Sequence, residues 1–334
     1  QAVRLARYHT GKTHLVRFCG AYHGWWDGVQ PGIGNNRKTH DVYTLADLSE
    51  HTLHVLKTRK DIACILINPL QAFHPNSDSA SDVSLIASDR DTHFDKAAYS
   101  LWLCRIRKIC TQQNIVLIFD EVFTGFRLSY RGAQGFFGIQ ADMVTYGKTL
   151  GGGYPVGVLA GTYSLMKRFK NDKPVDVSFA RGTFNSHPYV MGAMNEFLRR
   201  IQLPKIQALY QASEPLWNER VARFNQRILA EKLPLKITNM HSILSVIYTQ
   251  PSRYNWMLQF YLRHAGLELS WTGTGRFIMS FSYTDEEFEQ VIDCFVKAAK
   301  QMSQDGWWWS HLGLTNKAIK RQFLGDMLAA MFPI

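Results

Sequence analysis

Residues 115–122 read Ile-Val-Leu-Ile-Phe-Asp-Glu-Val. The first five are apolar without interruption, which is typical of a strand covered on both faces in a parallel sheet. Asp120 and Glu121 follow directly at the carboxyl end of that strand. Ligands of open α/β sheets bind at this end, so the stretch predicts an acid that points into a binding crevice. Taken alone, Asp120 is also explained by a helix N-cap or a loop acid.

Segments of the same kind recur in the first part of the chain. Residues 62–67 are a second uninterrupted apolar run, and further strands are predicted at residues 15–18, 143–146 and 156–160. Helices are predicted at residues 1–8, 45–58, 97–112 and 188–201. Strands that alternate with helices predict an α/β domain with right-handed crossovers.

The order of elements changes in the second part of the chain. Helices continue to about residue 231, and then come predicted strands at residues 243–248, 267–271 and 276–281, a helix at 285–302 and a final helix at 317–331. This order predicts a smaller α+β domain. We therefore assign residues 1–200 to a large domain and residues 201–334 to a small one, and we expect residues 75–92, rich in Ser and Asp, to form a polar loop.

Composition limits the class of protein. Apolar residues make up 46% of the 334 residues and charged residues 19%, which indicates a globular chain. No apolar run approaches the roughly 18 residues that span a bilayer, so we expect no membrane partner. The five cysteines are scattered and odd in number, as in a cytoplasmic protein with reduced thiols and no zinc site. The chain begins at Gln1 inside a helical pattern, as if it were cut from a longer protein.

The net charge raises the question of a nucleic-acid partner. Lysine and arginine exceed aspartate and glutamate by 38 − 27 = +11. The basic residues are dispersed, however, and the densest clusters, at residues 57–60 and 105–108, fall on predicted amphipathic helices. Solvated helix faces explain them better, so we predict no nucleic-acid partner. Anionic substrates and an acidic partner stay open as alternatives.

A lysine follows another predicted core strand. Residues 145–155 read Thr-Tyr-Gly-Lys-Thr-Leu-Gly-Gly-Gly-Tyr-Pro. A phosphate loop of the Walker A type needs a glycine five residues before its Gly-Lys pair, and Asp142 stands there. The other Gly-Lys-Thr, at residues 11–13, has Ala6 at that position. Lys148 taken alone would be an ordinary solvated lysine, but after a core strand and among glycines it suits a Schiff base better.

Two further stretches complete the pattern. Residues 20–28 place Tyr22, His23 and two tryptophans in a glycine-containing loop after the first strand, where aromatic rings either pack against the core or stack on a planar ligand. Residues 182–188 read Gly-Thr-Phe-Asn-Ser-His-Pro and precede a long helix. Their hydroxyl and backbone N–H groups could bind a phosphate, or could simply cap the helix.

The stretches at residues 120–127, 132–138 and 147–153, taken with the two loops, resemble the signature of class III aminotransferases of fold type I. The similarity is greatest to the branch of glutamate-1-semialdehyde aminomutase. The resemblance implies pyridoxal 5'-phosphate (PLP) as cofactor and the fold of that family, which is a mostly parallel α/β sheet covered by helices plus a smaller C-terminal α+β domain. It also implies a homodimer with shared active sites as the working unit.

The resemblance assigns a role to each candidate residue. Lys148 would form the Schiff base with the cofactor and later move a proton. Asp120 would pair with the pyridine nitrogen and keep it protonated, while Val122 would pack on one face of the ring. Tyr22 would stack on the other face, with His23 beside it. Thr183 would contact the cofactor phosphate of the neighbouring subunit.

The sequence departs from the family at three places. The family's N-terminal phosphate turn would precede residue 1. Asn68-Pro69 replaces the usual Glu-Pro, as in aminotransferase domains of polyketide, nonribosomal-peptide and prodigiosin-type pathways. In the segment that aligns with residues 271–281 the aminomutase has an acidic residue, whereas residues 272–276 here read Thr-Gly-Thr-Gly-Arg.

These departures favour a biosynthetic aminotransferase over an aminomutase. The enzyme would move an amino group from an amino acid donor to a ketone or aldehyde acceptor, free or carrier-bound, in secondary metabolism. An aminomutase and a non-catalytic domain that keeps the fold for dimerisation or carrier docking are the alternatives. A scaffold of that kind would need none of Asp120, Lys148 and Thr183.

Overall fold

The computed structural model describes residues 1–30, 39–69, 95–268 and 276–331. These residues form two compact units, one that ends at Tyr210 and one that begins at Gln211. The assignment of residues 1–200 and 201–334 to two domains stays a prediction, because compactness by itself does not show that a unit folds alone. The polar loop predicted at residues 75–92 lies outside the described residues.

The main sheet lies in the first unit. Its strands are β1 (His14–Phe18), β2 (Val42–Leu45), β3 (Ile62–Ile67), β4 (Val116–Asp120), β5 (Met143–Gly147) and β6 (Gly157–Gly161). Within the described residues the strand order is β2-β1-β3-β4-β5-β6. Neighbouring strands are parallel except β6, which is antiparallel to β5. The predicted mostly parallel α/β sheet is confirmed.

Helices cover this sheet. They are α1 (Ala2–Thr10), α2 (Glu50–Thr58), α3 (Lys96–Gln113), α4 (Gly132–Phe137), α5 (Tyr163–Met166) and α6 (Pro188–Arg200). Helix α1 packs on β3, β4 and β5, while α3 packs on β4 and α2. All six residues of β3 are buried, which explains its uninterrupted apolar sequence, since neither face of the strand meets water. A short hairpin, β7 (Phe169–Lys170) and β8 (Lys173–Val177), precedes α6.

Helix α7 (Pro204–Ala230) leads into the second unit. The other elements there are β9 (Leu235–Met240), β10 (Ile243–Tyr248), α8 (Leu258–His264), β11 (Arg276–Ile278), α9 (Asp285–Gln304) and α10 (Asn316–Met331). The strands form an antiparallel sheet in the order β11-β10-β9. Its core contains edge-to-face aromatic rings, such as Phe224 against Phe295 at 4.9 Å between ring centroids. This is the α+β order expected from the sequence.

Several predictions made from local periodicity were wrong. Residues 45–49 are not helical, because α2 begins at Glu50 and the strand β2 ends at Leu45. The strand β9 was missed altogether, although it pairs with β10 along its full length. Pairing with a neighbouring strand stabilises such segments and leaves little trace in the sequence. Leu267 and Glu268 are not in a strand, and the rest of the strand predicted at 267–271 lies outside the described residues.

No helix in the described part of the chain is both long and apolar enough to cross a membrane.

Candidate active site

Asp120 is the last residue of β4 and lies at the carboxyl edge of the sheet, where the first prediction expected it. Its Oδ2 accepts a hydrogen bond from Nδ1 of His23 at 2.7 Å. Its Oδ1 accepts from the Val122 backbone N–H at 3.1 Å and from the Thr145 hydroxyl at 3.1 Å. Both carboxyl oxygens are therefore held in place, which fixes the orientation of the group.

The surroundings decide the charge of Asp120. Burial by itself would raise its pKa, because a low dielectric disfavours a carboxylate. The hydrogen bond and charge of His23, together with the donors Val122 N–H and Thr145 Oγ1, outweigh that effect, so the pKa of Asp120 lies below its ordinary value. Asp120 is thus a buried carboxylate that stays ionised at neutral pH.

His23 contacts this carboxylate directly. Its side chain is 1% exposed. Its Nε2 is buried and has no hydrogen-bond partner among the described residues. Tyr22, the preceding residue, is instead 57% exposed on the surface of the unit. The sequence had suggested only that His23 lies beside Tyr22, whereas the structure brings it to Asp120.

Lys148 follows β5 directly and begins a single 3-10 turn that ends at Gly151. It has a positive φ of 42°, and its side chain is exposed. The preceding Gly147 packs closely on Val122, since a Cβ at Gly147 would lie 3.2 Å from Val122 Cγ1. Because β4 and β5 are adjacent parallel strands, Asp120, Val122 and Lys148 come to the same edge of the sheet.

Thr183 lies elsewhere in this unit. It lines a surface groove of about 890 Å³ formed by residues around β6 and the start of α6, with Tyr154, Phe184 and Met191 among its walls. Neither Asp120 nor Lys148 lines this groove. Thr183 is exposed, and no residue of α6 is buried within the chain. The structure therefore brings Asp120, His23, Val122 and Lys148 to one edge of the sheet, while Tyr22 is exposed and Thr183 lies in a separate groove.

Sequence reasoning did not identify two polar residues at this edge of the sheet as part of the candidate site. Thr145 was part of a quoted stretch but received no role, although its position opposite Asp120 in the parallel register places its hydroxyl on the carboxylate. Asn68 was noted only as a departure from a family pattern. It is buried directly after β3, and its Oδ1 has no hydrogen-bond partner in the described part of the chain. Its signal was the same as that of Asp120, a polar residue at the carboxyl end of an apolar strand.

Comparison with solved structures defines the class of protein. A transaminase with PLP bound has a TM-score of 0.73 and 24% sequence identity, over 91% of this chain and 71% of the other. An omega-transaminase from Sphaerobacter thermophilus has a TM-score of 0.70 and 23% identity, over 90% of this chain and 71% of that one. Both similarities concern the fold, which is the fold of PLP-dependent transaminases.

Sequence comparison is more specific. The model of the class-III aminotransferase family matches residues 95–299, and the chain belongs to this family. It is 30% identical over 310 residues to a glutamate-1-semialdehyde 2,1-aminomutase of Nitratidesulfovibrio vulgaris, a match that covers 87% of this chain and 70% of the relative. The chain is a PLP-dependent aminotransferase, as the resemblance had implied.

The residues at the sheet edge fit this cofactor. An ionised, buried carboxylate such as Asp120 suits a protonated pyridine nitrogen, and Val122 offers an apolar surface for a ring. Lys148 offers an amine at the end of the neighbouring strand. The described residues contain no cluster of histidine, cysteine, aspartate or glutamate that could hold a metal ion.

Proposed function

We propose that this enzyme moves an amino group from an amino acid donor to a ketone or aldehyde acceptor, with Lys148 and Asp120 as its catalytic residues. The observation that carries the proposal is the Asp120 carboxylate, which is buried, held by three hydrogen-bond donors and ionised at the same sheet edge as Lys148. Ligands of open α/β sheets bind at the carboxyl ends of the strands, so a fixed carboxylate and an amine at this edge suit one shared ligand.

Each residue then has a defined task. When bound, PLP would supply an electron sink for the negative charge left when the substrate carbon that bears the amine loses a proton. Asp120 holds the proton on the pyridine nitrogen, and His23 and Thr145 hold Asp120 in position. Val122 would pack on one face of the ring and the exposed Tyr22 on the other. Lys148 would hold the cofactor through Nζ, and its free amine would move the proton of the substrate as a general base and acid.

We also propose a homodimer in which Thr183 contacts the cofactor phosphate of the partner subunit. The apolar side chains on this part of the surface support the proposal, since Phe184 is 78% exposed and Tyr189 is 73% exposed. Exposed apolar patches next to a groove are typical of protein interfaces. Thr183 lines that groove, whereas Asp120 and Lys148 do not, which supports a contact between Thr183 and the site of a second copy of the chain.

A spectroscopic experiment tests the proposal. The purified chain should show the visible absorbance of bound PLP, and borohydride should abolish that absorbance and leave a stable adduct on Lys148. In a separate, unreduced sample, mass spectrometry should detect amine transfer from amino acids to long-chain aldehydes or ketones. A chain without a reducible adduct would favour the alternative, a non-catalytic domain that keeps the fold.

A second candidate function is the isomerisation of glutamate 1-semialdehyde, because this is the reaction in the name of the relatives found by sequence. Incubation with this compound as sole substrate separates the two candidates. An aminomutase converts it to its isomer without a second amine, whereas an aminotransferase requires an amino donor. The residue that is acidic in the aminomutase, and that would help to decide between the two functions, aligns within residues 271–281 of this chain. Of these, residues 271–275 lie outside the described residues.

The pathway and compartment belong to the same proposal. Asn68-Pro69 supports an acceptor from secondary metabolism, free or carrier-bound, since the buried Asn68 replaces a charged residue at the edge of the site. The five cysteines are all free thiols, which supports a cytoplasmic location. Activity with primary metabolites alone would argue against the biosynthetic assignment.

A further inference from the structure

Glu121 lies between two residues of the proposed cofactor site, but its side chain contacts a different part of the unit. It is 1% exposed. Its Oε2 accepts a hydrogen bond from the Ala133 N–H at 2.6 Å, and its Oε1 accepts from the Gln134 N–H at 3.1 Å. Both donors belong to the first turn of α4. A buried carboxylate is costly unless such donors surround it, so this arrangement is specific.

The backbone of Glu121 also forms two hydrogen bonds. Its N–H donates to the Thr145 carbonyl at 2.9 Å, and its carbonyl accepts from the Gly125 N–H at 2.8 Å. Glu121 therefore connects β5, the turn after β4 and the start of α4. Asp120 precedes this junction by one residue and Val122 follows it, so any movement of Glu121 would move both.

Two glycines provide the space that this junction needs. Gly132 has a φ of +66°, and a Cβ on it would overlap Oε2 of Glu121. A Cβ on Gly125 would lie 2.6 Å from the Glu121 carbonyl oxygen. A larger residue at either glycine would displace the Glu121 carboxylate or the Glu121 backbone, so the two glycines leave the space that the Glu121 side chain and backbone occupy.

We propose that Glu121 is a positioning residue that holds the turn carrying Asp120 and Val122 in the orientation needed to bind the cofactor ring, and that it does so best when ionised. This inference rests on the proposed function of the site. An ionised carboxylate accepts from both N–H groups of α4. A protonated one has a single good acceptor and directs a hydroxyl at one of those N–H groups, so protonation loosens the turn.

The Glu121 side chain changes its charge near neutral pH. Burial raises the pKa of Glu121 to about 7, the two N–H groups of α4 counteract the rise, and the charge of Asp120 adds to it. Among the described residues, the titratable groups that face Glu121 are Asp120 at the end of β4 and Tyr146 on β5, while α4 faces it with backbone N–H groups. Burial raises the pKa of Tyr146 to about 12, so Tyr146 stays neutral while Glu121 titrates.

The test compares Glu121→Gln with a matched control, Glu287→Gln. Glu287 is also a helix-capping glutamate, since its side chain accepts from the Thr284 N–H at 2.9 Å at the start of α9, but it is exposed and lies in the other unit. We compare the cofactor dissociation constant of Glu121→Gln with that of the wild type at each pH. The ratio of the two should be about 2 near pH 6 and about 10 or more near pH 8. The larger ratio is the scale for losing a hydrogen bond to a charged group. Glu287→Gln should show no such change with pH.

A second measurement uses the cofactor-free chain and does not depend on activity. The pKa of Glu121 in the folded chain is raised above the ordinary 4.5, so the stability linked to its protonation is lost as the pH rises toward 7. The free energy of unfolding of Glu121→Gln, relative to the wild type, should therefore increase over this range while its cofactor affinity falls. A residue with a merely structural role would lower both together.

The outcomes are distinguishable. A wild-type chain that forms no cofactor adduct would overturn the proposed function and this inference with it. Normal binding by the wild type, with a ratio of dissociation constants that does not change with pH, would overturn the inference alone. If Glu121→Gln does not fold, Glu121→Asp replaces it. Because this variant retains a carboxylate, its own cofactor dissociation constant should change with pH as that of the wild type does, and a dissociation constant independent of pH would contradict a role for the charge.

Discussion

Two regions of the same compact unit differ in how completely a single chain provides contacts for their side chains. One is the carboxyl edge of β4 and β5, and the other is the surface of α6. At the sheet edge, both oxygens of Asp120 have hydrogen-bond donors, and His23 is buried against them. On α6 no residue is buried, and Phe184 and Tyr189 nearby expose large apolar side chains. The difference teaches that one chain satisfies the polar groups of the sheet edge by itself, whereas it leaves apolar side chains beside the groove exposed, as the proposed homodimer would require.

Removal of the lysine at the sheet edge should have the largest effect. Lys148→Ala should abolish turnover and the reducible cofactor adduct, because no other amine takes the place of Nζ. The fold should be unaffected, since the side chain is exposed. Steady-state assays combined with borohydride reduction measure both effects.

Lys232→Ala is the matched control for this change. Lys232 is also exposed and also has a positive φ, of 53°, but it lies in the second unit. It should keep full activity, so that a loss in Lys148→Ala reflects the amine and not the backbone conformation. Retained transamination in Lys148→Ala would rule out the assignment.

Asp120→Asn should reduce kcat by about two to four orders of magnitude, in line with other replacements that remove a catalytic charge. The amide keeps the shape of the side chain but cannot hold a proton on the pyridine nitrogen. The cofactor should still bind to Lys148, so the absorbance spectrum separates loss of activity from loss of cofactor.

Asp142→Asn serves as its control. The Asp142 carboxylate lies at the opposite end of the sheet, where it accepts from the Leu117 N–H at 2.8 Å and pairs with Arg107. Its replacement should cost some stability but little activity. Equal losses in the two variants would mean that Asp120 has only a structural role.

His23→Phe tests whether the histidine keeps Asp120 ionised. His23 lowers the pKa of Asp120, so its removal should raise that pKa and shift the acid limb of the kcat/KM profile to higher pH. Below the shifted limb the variant should lose activity, because a protonated Asp120 cannot pair with the pyridinium, while above it the loss should be smaller.

His23→Asn is the informative companion, since its Nδ2 can donate from nearly the position of the histidine Nδ1. Its acid limb should shift less than that of His23→Phe. Identical profiles in the wild type and both variants would show that the 2.7 Å contact between His23 and Asp120 does not control the charge.

The smallest effect is expected on the groove. Thr183→Val should weaken cofactor binding by about 1–3 kcal/mol, the scale for a hydrogen bond to a charged group. If the hydroxyl acts across a dimer interface, cofactor affinity should also fall on dilution, because binding and association are linked by mass action. Titration at several protein concentrations, together with sedimentation, measures both.

Thr162→Val controls for the loss of an exposed hydroxyl. Thr162 precedes α5 and does not line the groove, so its replacement should leave cofactor binding unchanged. A monomer that binds PLP tightly at every concentration would contradict the shared site and would make the groove a feature of one chain alone.

The sequence predicted the sheet edge better than the elements around it. The apolar runs of β3 and β4 were identified correctly because strands buried on both faces carry an uninterrupted signal. The strands β2 and β9 were missed, since each is held by its pairing with a neighbour and not by a pattern of its own. Exposed or half-buried strands depend on their pairing with a neighbouring strand and carry only a weak pattern of their own.

Within the site, the sequence by itself determined the chemistry of the residues: a carboxylate after one core strand, a lysine after the next, and a family signature that joins them. Only the tertiary structure decided that His23 and Thr145 hold Asp120 and that Glu121 faces α4 instead of the site. It also decided that Thr183 lines a separate groove. The reason is physical, because a hydrogen bond between His23 and Asp120 spans 97 positions and exists only once the strands have come together.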